Sequence, residues 1–123
     1  MKKQIQCVED LQVFTKAYDA SLKLHETSLS WPKHEQFNGI ADQIRRASKG
    51  ICANLAEGFG KQAYSKAEFK RYISIAIGSA DELRVWLSYA SDLNYMPLQE
   101  AKSYRDTYQT IAKMLSGLYK NWG

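Results

Sequence analysis

Seven positions constrain this chain more than any others: Phe69, Ile73, Ala76, Ala80, Leu83, Leu87 and Ala90 follow one another in alternating steps of four and three without a break. Side chains so spaced share one face of an α-helix, and a seam of this kind is buried against other helices crossing at about 20°. A bundle is therefore expected. A strand could not use the pattern, because a period of two would scatter the same residues over both sides of a sheet.

The punctuation agrees. Pro32, the turn from Gly58 to Ser65, and Asn94-Tyr95-Met96-Pro97 divide the chain into four long segments. The one Asn-Gly pair, Asn38-Gly39, has no alternating run beside it, so no hairpin is expected. The expected fold is all-α, an antiparallel up-down four-helix bundle in one domain over residues 1–123, with helices at about 8–29, 34–58, 65–93 and 97–121.

Each segment carries its own register. In the first, Leu11, Phe14, Tyr18, Leu22, His25 and Leu29 trace one face, expected to meet the core. Glu35 would open the second helix, where a carboxylate meets the positive end of the helix dipole. There Ile40, Ile44, Ala47, Ile51 and Leu55 form the apolar stripe, with Arg45, Arg46 and Lys49 on roughly the opposite side. Gly50 inside this helix costs about 1 kcal/mol relative to Ala, so a neighbouring backbone is expected close by. Gly58 is expected to end the helix, and Ser65 with Glu68 reads as a capping box for the next. In the third helix Ala76, Gly78, Ser79 and Ala80 would allow close helix approach. Its second stripe, Ile75, Ser79, Glu82, Trp86 and Tyr89, means either a broad core side or contact with another subunit. The fourth repeats the rhythm with Ala101, Tyr104, Tyr108, Ile111, Leu115, Leu118 and Trp122, and its aromatic end is expected to be docked.

Charge is unevenly spread. From Arg45 to Arg71 stand seven basic residues, Arg45, Arg46, Lys49, Lys61, Lys66, Lys70 and Arg71, against Glu57 and Glu68; the rest of the chain has ten basic and eleven acidic. A concentrated field of this kind suits a polyanion, so these seven are the candidate nucleic-acid contacts, acting on RNA or DNA backbone by counterion release. Tyr64 and Tyr72, interleaved with them, would add base stacking. The competing reading is a solvated helix surface.

Other chemistries find little support. Asn54, Glu57, Ser79 and Glu82 could converge, and Glu57 with Glu82 would make an acid/base pair, but no histidine, nucleophile or oxyanion loop accompanies them. Hydrogen bonding between helices or subunits is the alternative role. His25 and His34 lack ligand spacing, so no metal is expected, and Gly58-Phe59-Gly60-Lys61 lacks the strand and spacing of a nucleotide loop, so no cofactor is expected. Cys7 and Cys52 form no paired motif and read as free thiols of a cytoplasmic protein. With no long apolar run, neither export nor membrane insertion is expected.

Four motifs in order, Trp31-Pro32-Lys33-His34-Glu35, Gln43-Ile44-Arg45-Arg46-Ala47, Asn54-Leu55-Ala56-Glu57-Gly58 and Ile75-Ala76-Ile77-Gly78-Ser79 with Glu82, resemble those of the 23S rRNA intervening sequence proteins, also labelled S23 ribosomal protein. Trp31 and Leu55 stand where that family usually has Phe and Ile. The resemblance implies a four-helix bundle associating as a ring-shaped homopentamer. It also implies likeness to the accessory protein of diversity-generating retroelements, a basic pentamer that binds nucleic acid and a reverse transcriptase. The family label reflects genes lying inside rRNA insertions, and does not make the chain a ribosomal component. Two functions are thus in play: an oligomeric, non-enzymatic nucleic-acid-binding bundle, or a protein scaffold that docks a partner such as a reverse transcriptase.

Overall fold

The seam from Phe69 to Ala90 is wholly buried, all seven side chains at zero exposure, and the rest of the molecule is arranged around it. The computed structural model describes residues 4–122. Its helices are α1 Gln12–Ser28, α2 Ile40–Lys61, α3 Lys66–Asp92 and α4 Leu98–Asn121, with 3-10 turns at Val8–Asp10 and Lys33–Glu35 and no strand among the described residues. Each helix packs on its neighbour in sequence, α2 on α3 most extensively, and α1 closes the bundle against α4 most lightly.

Local chemistry sets the boundaries. Ser65 Oγ accepts the Glu68 N–H at 3.1 Å and starts α3. The Glu68 carboxylate turns instead to Arg71 Nε at 2.8 Å. Asn38 and Asn94, both with positive φ, stand in the connections before α2 and α4, where asparagine tolerates the left-handed region. Pro97 takes the N-cap position of α4.

Helix α2 departs from expectation at both ends. It begins at Ile40, not near residue 34, and it runs through Gly58 to Lys61. Gly58 is buried, and a Cβ there would lie 2.6 Å from Tyr72 Cβ, so this glycine is the close approach of α2 to α3 and not a terminator. At Gly50 an added Cβ would meet nothing within 4 Å. The tight contact anticipated at Gly50 lies two turns further on.

Helix α1 is rotated relative to its expected register. Its buried residues are Val13, Ala17, Ala20, Ser21, Leu24 and Ser28, whereas Tyr18, Leu22 and Leu29 are about half exposed, at 49%, 51% and 54%. The core accepts the face carrying Val13, Ala17, Ala20 and Leu24, whose two alanines let α1 lie close, and leaves Tyr18 and Leu22 outside. Burial of Ser21 and Ser28 costs little because each hydroxyl donates to a carbonyl one turn back, Tyr18 O at 2.7 Å and His25 O at 3.0 Å.

The second α3 stripe is divided: Ile75 and Tyr89 are exposed in the protomer, whereas Ser79 is half-buried and Trp86 packs at the edge of the core. Gly78 is likewise on the outside with nothing within 4 Å of an added Cβ, so close helix approach in the bundle rests on Ala76 and Ala80. At the end of α4, Trp122 packs edge-to-face on Phe69 at 4.9 Å and on Phe59 at 6.0 Å, which docks the aromatic end.

Candidate nucleic-acid interface

The basic residues that are contiguous in sequence are divided between two places in the fold. Arg45 and Lys61 are sixteen residues apart on one helix, a separation of ~24 Å. Arg45, Arg46 and Lys49 stand near the start of α2, and Lys61, Lys66, Lys70 and Arg71 stand where α2 turns into α3.

The first group is committed largely within the molecule. Arg45 is half-buried on the flank of α2 that meets α1, not opposite the core, and its guanidinium donates to Ser28 Oγ at 2.8 Å, Gln36 Oε1 at 2.9 Å and Gln36 O at 3.4 Å. Gln36 in turn donates from Nε2 to Ser28 O and Trp31 O. The arginine therefore clamps the connection between α1 and α2. Lys49 donates to Nδ1 of His25 on α1 at 3.1 Å. Arg46 is outward, paired with Asp42 at 3.1 Å; the Asn38 N–H and this guanidinium together hold the Asp42 carboxyl below its ordinary range.

The second group faces solvent at one end of the bundle. Lys66 and Arg71 are exposed, and Lys61 and Lys70 are partly so. Tyr64, in the turn between Lys61 and Lys66, is 77% exposed. Arg71 lies over the Tyr72 ring at 4.7 Å and pairs with Glu68, whose carboxyl it holds below the usual range. Tyr72 is half-buried at the Gly58 contact, so only Tyr64 of the two tyrosines presents an open ring. Lys70 Nζ sits over the Tyr119 ring at 5.3 Å, which brings the end of α4 alongside. Lys120, the next residue, thereby stands beside the basic end, with Lys113 two turns back along α4. Residues 61–71 with Lys120 carry five basic residues and one acidic, Glu68. Sequence reasoning passed over the two α4 lysines because they lie more than forty residues beyond the cluster. A bundle closing α4 on α3 was the signal that could have found them.

The remaining motif residues do not form one centre. Glu35 Oε1 accepts the Ile40 N–H at 3.0 Å and so caps α2, while Oε2 accepts the Tyr95 hydroxyl at 2.6 Å, tying α2 to the α3–α4 connection. The tyrosine first, then the backbone N–H, hold its carboxyl below the ordinary range. Gln43 is half-buried on α2. Asn54 Nδ2 donates to Gly50 O on its own helix at 2.8 Å. Glu57 is exposed, Ser79 is half-buried, and Glu82 accepts from Trp86 Nε1 at 2.8 Å. Among the described residues no three His, Cys, Asp or Glu side chains gather as a metal site. Cys7 and Cys52 are free, and burial pushes the Cys52 thiol up to about 11. No helix among the described residues is long and apolar enough to cross a membrane.

Comparison with known proteins fits this architecture. A crystal structure of a protein of unknown function from the S23 ribosomal protein family of Bacteroides thetaiotaomicron is similar at 24% identity, with a TM-score of 0.78 over 89% of this chain and 96% of that one, a likeness of fold. No curated protein matches the sequence. The family model described as 23S rRNA-intervening sequence protein matches residues 9–117, four-helix core included, and the chain belongs to that family.

Proposed function

We propose that this chain is a non-enzymatic, cytoplasmic helical bundle that assembles with copies of itself and holds RNA or DNA backbone, with little sequence preference, at the end where α2 turns into α3. The observation that carries this reading is Tyr64, an open aromatic ring between Lys61 and Lys66 with Lys70 and Arg71 on the adjoining helix. Cations for phosphates beside a ring for bases is the arrangement that binds nucleic acid without reading its sequence. Assembly is supported by two exposed apolar faces, Tyr18 and Leu22 on α1 with Leu29 at its C-cap, and Ile75, Val85 and Tyr89 on α3. These helices are not neighbours, so the faces point in different directions, and head-to-tail pairing of unlike faces gives a ring when the rotation between subunits closes and a filament when it does not. A homopentamer of the kind the family resemblance implies would be such a ring, repeating the basic end in every subunit.

Fluorescence anisotropy with a labelled single-stranded RNA of about twenty nucleotides, from low to high salt, tests the reading. Affinity is expected to fall linearly in log-log form, and Tyr64→Ala to cost about 1–3 kcal/mol of binding. Absence of binding at low salt would remove it. The exposed apolar faces would then favour the second reading, a scaffold docking a partner protein such as a reverse transcriptase.

A further inference from the structure

We infer that the groove between α3 and α4 continues the basic end as a track for a single strand of nucleic acid. This rests on the reading of the α2–α3 turn as a backbone-binding surface and adds where the strand runs. The groove holds about 470 Å³ and is lined by Ile77, Asp81 and Arg84 from α3 and by Gln109, Lys113 and Lys120 from α4. Gly117 forms part of its wall, and an added Cβ there would meet nothing within 4 Å.

Its position joins it to the turn. Lys120 follows Tyr119, the ring on which Lys70 rests, so one mouth of the groove opens beside the basic end. From there to Gln109 the track is ~16 Å long, room for a few nucleotides, with Lys113 and Lys120 two helical turns apart at ~10 Å.

Charge and shape select the ligand. Three cations line the groove against one carboxylate, Asp81, which accepts one N–H of Arg84 at 3.4 Å. A guanidinium has five donors, so four remain for phosphate or sugar oxygens. Gln109 offers both donor and acceptor to base edges, and Ile77 an apolar contact. The groove is the shallow seam between two helices in contact, their axes ~8–10 Å apart, so it can seat the phosphates of one strand and cannot receive a duplex within it. The seam between α1 and α4 is of similar volume, about 410 Å³, but balances Lys16 and Lys23 with Asp19 and Glu100 and offers a polyanion no net attraction.

The test compares a single-stranded and a duplex RNA of equal length across a salt series, with wild type, Lys113→Ala/Lys120→Ala, Lys61→Ala/Lys66→Ala and Gly117→Phe, each verified as folded by circular dichroism. Each lysine lost from a single-strand contact is expected to lower the salt slope by about 0.7, so either double variant lowers it by about 1.4. Gly117→Phe fills the groove with charge unchanged and is expected to weaken binding several-fold, and single strand is expected to bind tighter than duplex. A slope unaltered in Lys113→Ala/Lys120→Ala but lowered in Lys61→Ala/Lys66→Ala overturns the track and leaves the basic turn standing. Preference for duplex, or full affinity in Gly117→Phe, also overturns the track. Failure of the wild type to bind either RNA overturns both.

Discussion

Glu35 illustrates what a single side chain contributes here. Its two oxygens serve different elements, one capping α2 at Ile40 and the other holding Tyr95 of the α3–α4 connection. Because its carboxyl is held below the ordinary value of 4.5 in the fold, the stability it supplies is complete above that value and is lost as pH falls through the folded one. Urea midpoints are therefore expected to drop in acid from about pH 4.5 downward, and Tyr95→Phe, by removing the larger cause, to lower the neutral midpoint and flatten the acid drop. An acid limb as steep in Tyr95→Phe as in wild type would refute this assignment. The two α2 glycines make a paired case. Gly58→Ala pushes a methyl into Tyr72 and is expected to destabilise by about 1–3 kcal/mol, while Gly50→Ala, with open space around it, is expected to stabilise by up to about 1 kcal/mol; equal effects in chemical denaturation would contradict the packing described. At this scale the sequence was legible where partners are local, as with the Ser65 cap. It was not legible for Arg45, because its acceptors, Ser28 and Gln36, are neutral and lie seventeen and nine residues away, so they leave no charge pattern to read.

Among the elements, α3 was the most readable and α1 the least. The α3 seam is continuous and fills the centre of the bundle, so pattern and burial coincide. Of the register read from the sequence, Leu11 is buried and Phe14 packs at the core's edge, but Tyr18, Leu22 and Leu29 lie outside, and the inner face of α1 is built from Val13, Ala17, Ala20, Leu24 and hydrogen-bonded serines. Periodicity reports a face, but cannot say which of two faces a neighbouring helix takes when the buried one is small. Helix α2 passed its expected stop for a related reason: packing on α3 uses the missing side chain of Gly58, and tertiary contact outweighs a weak local preference. The α1 assignment has a direct consequence. Leu24→Ala is expected to cost about 2–5 kcal/mol of stability. Leu22→Asp is expected to leave protomer stability within about 0.5 kcal/mol and to shift native mass spectra toward monomer. The reverse ranking in urea would restore the register first read from the sequence.

For the molecule as a whole, the bundle follows from four amphipathic segments with short connections, and the fold class was accessible from pattern alone. The candidate interface was accessible only in part. Sequence contiguity joined two groups of cations that α2 holds apart, Arg45 and Lys61 standing ~24 Å from one another, and it omitted Lys113 and Lys120, which the closure of α4 on α3 brings alongside. The consequence is a proposed division of labour: Arg45 fastens the α1–α2 elbow, and the turn between α2 and α3 is left to meet the polyanion of the proposed function. The salt dependence of RNA binding, taken beside urea denaturation, tests that division most directly. Lys61→Ala/Lys66→Ala is expected to lower the salt slope by about 1.4 with the urea midpoint unchanged, and Arg45→Ala to leave the slope alone while costing about 1.5–3 kcal/mol of stability. A folded Arg45→Ala with a reduced slope, or an unaltered slope after loss of both turn lysines, would contradict it.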